Sequence, residues 1–184
     1  GCGIVFDRDS WEYWNKRAAT FTRTATRTYE HWLMKLLALD PSDTVLDMGC
    51  ATGTLAVPLA KQGHHVHACD FAEAMLAVLG KRAARDRLPI TAHLLAWDDD
   101  WEAAGLGADS VDVAFASRSL VADGVRTHVG KLDSAARSKA AVTVSASPLP
   151  SYEPRLLTHL GRVAKRPHAV RDVKRALSGM GRAP

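Results

Sequence analysis

Apolar positions along this chain alternate between a helical rhythm and short uninterrupted runs, and the order of the two predicts strands separated by helices. Trp11, Trp14, Ala18 and Phe21 fall on one side of a helix that Ser10 is placed to cap. After a threonine-rich break, Tyr29, Trp32, Leu33, Leu36 and Leu37 recur at helical spacing, a second helix with one buried stripe that Asp40 and Pro41 stop. Val45 and Leu46 then read as the end of a parallel strand, where both faces are covered and apolar residues run on without alternation. His65 to Cys69, ending in Asp70, is the second strand, Ile90 to Ala96 the third, Ser110 to Ala116 the fourth and Ala141 to Ser145 the fifth. Between them, a helix runs from Gly53 to Gln62, kinked at Pro58 and closed by Gly63. Another buries Met75, Leu76 and Leu79, and a third spans 125–139 with Val125, Val129, Leu132 and Ala136 inward. Beyond the proline-rich 147–151, helical spacing returns over 155–163 and 168–177.

Composition narrows the class. A length of 184 residues fits one domain with its own core, and 47% hydrophobic with 24% charged residues is ordinary for a soluble globular protein. No apolar run nears the ~20 residues that a bilayer span needs, so no membrane association is expected. No signal-peptide pattern opens the sequence, and Cys2, Cys50 and Cys69 are an odd number without metal spacing, so reduced thiols in a cytoplasmic protein are expected. The net charge of +4 is unevenly spread: residues 124–184 hold 12 basic and 3 acidic side chains, while residues 41–123 hold 6 and 12. A basic tail suits either an anionic partner or a solvated helix face, and the second reading is the simpler.

Candidate chemistry concentrates in Asp47-Met48-Gly49-Cys50-Ala51-Thr52-Gly53, where a buried strand ends in an acid and opens into a glycine loop. Gly49 and Gly53 allow a sharp turn and close approach to a ligand, and Thr52 is placed to cap the helix that follows, whose free N–H groups face the same ligand. Asp70 ends the next strand 23 residues later, where an acid grips a ribose diol with two hydrogen bonds. His64, His65 and His67 invite a metal reading, but no acid or cysteine completes a ligand set, so no metal is expected. The fourth strand delivers Ser117-Arg118-Ser119 to the carboxyl edge of the sheet, where an arginine between two hydroxyls suits a carboxylate or an acidic substrate.

The spacing Asp47-x-Gly49-Cys50-Ala51-Thr52-Gly53 resembles the D-x-G-x-G-x-G motif of class I S-adenosylmethionine-dependent methyltransferases, with Ala51 in place of the middle glycine. Trp14-Asn15-Lys16-Arg17-Ala18 is similar to the W-[DN]-x-R-A segment ahead of that motif, and Asp70-Phe71-Ala72-Glu73-Ala74-Met75-Leu76 to the family's D-x-S-x-x-M-L. The resemblance covers about residues 10–160 and implies a doubly wound, Rossmann-like, mostly parallel α/β sheet with helices on both faces. It implies an N-terminal helical cap over 1–40, a cofactor-binding core over 41–147 and a basic helical segment over 148–184, all one structural domain. The cofactor implied is S-adenosyl-L-methionine, with S-adenosyl-L-homocysteine as product.

On the same grounds Asp47 orients the cofactor's amino group, Gly49, Cys50, Ala51 and Gly53 pass beneath methionine and ribose, and Asp70 binds the ribose. Phe71 packs on adenine beside Met75, Asp98 accepts from the exocyclic amine, and Trp97 stacks or lends its backbone N–H. Trp14 and Arg17 reach the amino-acid end, Ser117 belongs to the cofactor site, and Arg118 and Ser119 face the acceptor. The acceptor is expected to be a small molecule, since no N-P-P-Y, D-P-P-Y or Pro-Cys motif of nucleic-acid methylating enzymes occurs and no nucleic-acid partner is expected. No general base is assigned among His31, His93 and His128.

The family's sheet has seven strands and this sequence shows five, so the fifth-strand edge is expected to be covered by the C-terminal helices or by a second copy in a homo-oligomer. The alternative to catalysis is a module that binds the cofactor or its product and acts through a partner chain. A nucleotide-dependent oxidoreductase is disfavoured, because the G-x-G-x-x-G spacing is absent.

Overall fold

The computed structural model describes residues 10–21, 27–120, 124–144 and 170–181. Its helices are α1 (Trp11–Arg17), α2 (Arg27–Leu37), α3 (Ala56–Lys61), α4 (Glu73–Asp86), α5 (Val125–Ala135) and α6 (Val170–Gly179). The strands β1 (Val45–Met48), β2 (Val66–Asp70), β3 (Ile90–Leu94), β4 (Val111–Ser117) and β5 (Ala136–Thr143) pair in the order β3-β2-β1-β4-β5, all parallel. The order reverses at β1, so the crevice at the carboxyl ends of β1 and β4 is where a doubly wound sheet takes its ligand.

The sheet is filled from both sides. On one face Leu33, Leu37, Leu55, Leu59 and Leu79 from α2, α3 and α4 close over Val45, Val66 and Phe115. On the other, Leu132 and Ala135 of α5 pack with Trp97, Trp101 and Leu106 over Leu46, Met48 and Cys69. All four residues of β1 are buried, Asp47 included, so neither face of the strand meets water.

Ser10 caps α1 as expected, accepting from the Tyr13 N–H at 3.3 Å. The helix gives way at Ala18 to a 3-10 turn through Thr20, and Trp11 is left exposed while Trp14 and Phe21 pack on Ala18. In α2 the stripe is narrower than its spacing suggests: Leu33 and Leu37 are buried, whereas Trp32 and Leu36 stand in solvent. The helix stops at Ala38, which turns left-handed (φ 43°), before Asp40 and Pro41 are reached. Pro58 falls third in α3, between Val57 and Leu59, whose N–H groups donate to the Gly53 and Leu55 carbonyls at 3.1 Å each. The cap position of α3 is Leu55 and no side chain bonds there, so Thr52 is not the expected N-cap.

The largest departure lies over 136–139, expected as helix and found as the start of β5. Ala136 pairs with Val111 and Lys139 with Val113 across a bulge. Arg137 pairs with Asp112 at 2.9 Å, the Ser138 hydroxyl donates to the Asp112 carbonyl at 2.8 Å, and the Lys139 Nζ reaches the Leu37 carbonyl at 2.7 Å. These contacts to distant strands and to the end of α2 override the local helical preference of Ala-Arg-Ser-Lys. At the other end of the chain, α6 packs against α5, and β5 has no fully buried residue. Neither a sixth nor a seventh strand occurs among the described residues. The threonine-rich break at 22–26, the proline-rich 147–151 and the helix expected over 155–163 lie outside the described residues. None of the described helices is long and apolar enough to cross a membrane.

Candidate functional site

Three elements meet at the carboxyl end of β1. The Gly49 and Cys50 N–H groups donate to the Cys69 carbonyl at 2.8 and 3.0 Å, which pins the glycine loop to the end of β2. Asp70 then takes the Ala51 N–H on Oδ2 at 2.8 Å and the Ala72 N–H on Oδ1 at 2.9 Å. A carboxylate has about four lone-pair sites, so Asp70 keeps acceptor capacity for a ligand hydroxyl. On the far side of the loop, Arg82 of α4 donates to the Thr52 carbonyl at 2.7 Å, a tether that no sequence motif announced.

The backbone of the loop explains its residue types. Gly49 and Gly53 have φ of 80° and 86°, and a Cβ at Gly49 would overlap the Ser119 side chain, one at Gly53 the Leu79 side chain. Ala51 is also left-handed, at φ 49°, so the family's middle glycine position makes the same conformational demand here and alanine meets it under strain. Cys50 is buried and its thiol is pushed well up, first by burial and then by the charges of Asp47 and Asp70. Burial, followed by the same two carboxyls, raises the thiol of Cys69. Neither thiol is poised to act as a nucleophile, because the thiolate is the reactive form. Cys2 lies outside the described residues.

Asp47 is the electrostatic centre. It is 2% exposed, and its Oδ2 has no hydrogen-bond partner among the described residues. Burial, followed by the nearby Asp70 carboxylate, pushes its pKa up to about 8 against the pull of the Ala56 N–H. Burial also raises Asp70, opposed by the N–H groups of Ala72, Ala51 and Phe71. Two buried carboxyls beside a loop of left-handed backbone make a place that a cation relaxes.

The N-terminal segment closes one side. Trp14, Phe21 and Ala51 pack on a cluster of Ala18, Ala72 and Met75, so Met75 and Trp14 lie against the loop as part of its wall. Asn15 accepts the Ala74 N–H at 2.9 Å, capping α4 from a separate helix, a role sequence spacing alone did not reveal. Arg17 is exposed and donates to the Tyr13 hydroxyl at 3.2 Å. Phe71 is half-buried directly after Asp70.

On the opposite side stand the residues expected to face adenine and the acceptor. Trp97 is buried between Trp101 and His128, at centroid distances of 5.6 and 5.0 Å, and its ring N–H donates to the Ser119 carbonyl at 3.0 Å. Its backbone carbonyl in turn accepts from Lys131 Nζ at 2.7 Å. Asp98 is exposed and its Oδ1 meets the His128 Nε2 at 3.1 Å. Ser119 donates its hydroxyl to the Met48 carbonyl and sits over Gly49, so it shapes the loop. Ser117 is held by the Tyr29 hydroxyl at 2.6 Å, and that phenol also meets Thr143 at 3.0 Å. Arg118 is exposed and left-handed (φ 58°), with its N–H on the Thr143 carbonyl at 3.0 Å. His67 and His93 form an imidazole pair at 3.0 Å, and no metal-binding group of three or more acidic, cysteine or histidine side chains occurs among the described residues.

Comparison with known proteins agrees with this arrangement. A methyltransferase-domain family model matches residues 45–143. An uncharacterised protein of Haemophilus influenzae is 31% identical over 134 residues, 71% of this chain and 48% of that protein. The chloroplastic magnesium protoporphyrin IX methyltransferase of Arabidopsis thaliana is 32% identical over 150 residues, 75% of this chain and 46% of that enzyme. The chain thus spans about half the length of these relatives. Among solved structures, magnesium protoporphyrin IX methyltransferase from Synechocystis PCC 6803, with bound S-adenosylhomocysteine, superposes with a TM-score of 0.67 at 19% identity, over 94% of this chain and 84% of that one. With the family match running from the start of β1 to the end of β5 and the fold shared with that enzyme, the chain belongs to the class I, Rossmann-like S-adenosylmethionine-dependent methyltransferase family.

Proposed function

We propose that the chain binds S-adenosyl-L-methionine in the crevice between the glycine loop, Asp70 and the 97–98 turn, and transfers its methyl group to a small-molecule acceptor. The observation that carries this reading is Asp47: a buried carboxyl with one unpartnered oxygen beside left-handed backbone, which an ammonium next to a sulfonium would satisfy. In this reading Gly49 and Gly53 let the backbone approach the cofactor's chain, and the spare lone pairs of Asp70 take the ribose hydroxyls. Phe71 offers the half-buried apolar surface for adenine, and Asp98 accepts from its exocyclic amine. Trp14 and Met75 hold the loop's wall, while Arg17 serves the cofactor's amino-acid end and Arg118 an acidic acceptor.

The bound sulfonium supplies an activated methyl, which an acceptor lone pair attacks as the carbon–sulfur bond breaks toward sulfur. The protein's own contribution is alignment and the exclusion of water, and alignment alone is worth several kcal/mol. Ser117 and Arg118 stand at the end of β4, on the side of the crevice away from Asp70, where an acceptor enters.

Thermal unfolding with S-adenosylmethionine, S-adenosylhomocysteine and NAD tests the reading. At about 100 times the dissociation constant a ligand adds about 2.7 kcal/mol, a rise of about 5–10 °C for a domain of this size. A rise with the first two and none with NAD supports it, and a rise with NAD alone overturns it. Transfer of labelled methyl to a small-molecule panel then separates a transferase from a chain that only binds.

A further inference from the structure

His128 occupies a fully buried position of α5. It is 1% exposed, its Nδ1 has no partner among the described residues, and Gly124 (φ 83°) lies against its ring, where a Cβ would come within 3.2 Å of Nε2. Its other nitrogen meets Asp98 Oδ1 at 3.1 Å. A carboxylate only accepts, so the proton of this pair is on Nε2 and the histidine donates. One turn further along the same helix, Lys131 donates to the carbonyls of Trp97 and Asp99 at 2.7 and 2.8 Å. The 97–99 turn is therefore clamped by α5 at its backbone through Lys131 and at the Asp98 carboxylate through His128.

We infer that His128 is a positioning residue for base recognition: by holding Asp98 Oδ1 it turns Oδ2 toward the crevice, and so makes the site select a 6-amino purine over a 6-oxo purine. This rests on the proposed cofactor reading. The geometry has a direct consequence for specificity. A carboxylate anchored through one oxygen presents the other as a fixed acceptor, which an exocyclic amine satisfies and a carbonyl oxygen repels. An unanchored, 90% exposed carboxylate would swing into solvent and discriminate poorly.

The test compares binding of S-adenosylhomocysteine with its 6-oxo analogue, S-inosylhomocysteine, by calorimetry. Wild type is expected to prefer the adenine form by about tenfold or more. His128→Leu loses most of that ratio, His128→Gln, whose amide reaches Asp98, restores it, and Lys131→Met weakens both ligands equally, as a merely structural clamp does. An unchanged ratio in His128→Leu, with Asp98→Ala abolishing it, overturns the inference and leaves the cofactor reading standing. Failure of wild type to bind either ligand overturns both. Should His128→Leu fail to fold, the His128 Nε2–H proton resonance of wild type decides. It shifts on adding S-adenosylhomocysteine if Asp98 is engaged by the base, and an unmoved resonance in the ligand-saturated protein overturns the inference.

Discussion

Replacing Asp47 by asparagine removes a proton that the folded chain holds far above the ordinary carboxyl range, and its effect on stability is calculable. The unfolded side chain titrates near the ordinary carboxyl value of 3.8, whereas burial and Asp70 push the folded one up to about 8. Between those values the folded state binds the proton and the unfolded state does not, so the stabilisation is full below the lower pKa and lost as pH rises through the upper. From pH 5 to pH 8 the folded protein retains nearly one extra proton until the last unit, where it is half titrated. At about 1.4 kcal/mol per unit this costs about 3–4 kcal/mol, or about 6–16 °C in Tm for a chain of this size. Asp47→Asn is neutral at every pH and nearly isosteric, and it also lifts the repulsion on Asp70. Thermal unfolding followed by circular dichroism from pH 5 to 8 is therefore expected to show a falling Tm in wild type and a much flatter line in the variant. Parallel pH profiles for the two proteins would refute the assignment of the buried proton to Asp47.

The same proton reports on the ligand: if a cationic cofactor draws Asp47 back toward its ordinary value, binding at pH 7 releases close to one proton, read by calorimetry in two buffers of different ionisation enthalpy, and zero release would count against the ammonium's seat at Asp47. Gly49→Ala meets both a left-handed φ of 80° and the Ser119 side chain, and is expected to lose about 2–4 kcal/mol in urea denaturation. Ala51→Gly relieves a φ of 49° and, after the entropy cost of glycine in the unfolded chain, is expected to be neutral to about 1 kcal/mol stabilising; a clear destabilisation would show that the methyl's packing on Ala18, Ala72 and Met75 outweighs the strain. Tyr29→Phe removes the phenol's hydrogen bonds to Ser117 and Thr143 at the ends of β4 and β5 and is expected to cost about 1–2 kcal/mol in the same assay.

Local chemistry made much of this protein legible in its sequence. Val45 and Leu46 read as strand covered on both faces, because adjacent apolar residues leave no polar side to show water, and Gly49 and Gly53 had to turn, because their positive φ excludes most other residues. Asp47 and Asp70 were legible as two acids near the carboxyl ends of neighbouring strands. What the pattern could not carry was anything set by partners distant in sequence. Residues 136–139 have helical propensity and become strand only because Val111 and Asp112 stand beside them. Trp97 reads as an aromatic ready to stack, yet His128 and Trp101 occupy its surroundings. That the Met48 carbonyl takes the Ser119 hydroxyl and Tyr29 meets Ser117 was likewise beyond the pattern. Periodicity records which face of an element avoids water, but it holds no information on which element arrives to cover that face. Tertiary structure alone decided that, and with it which of the polar groups at the sheet edge stay free for chemistry.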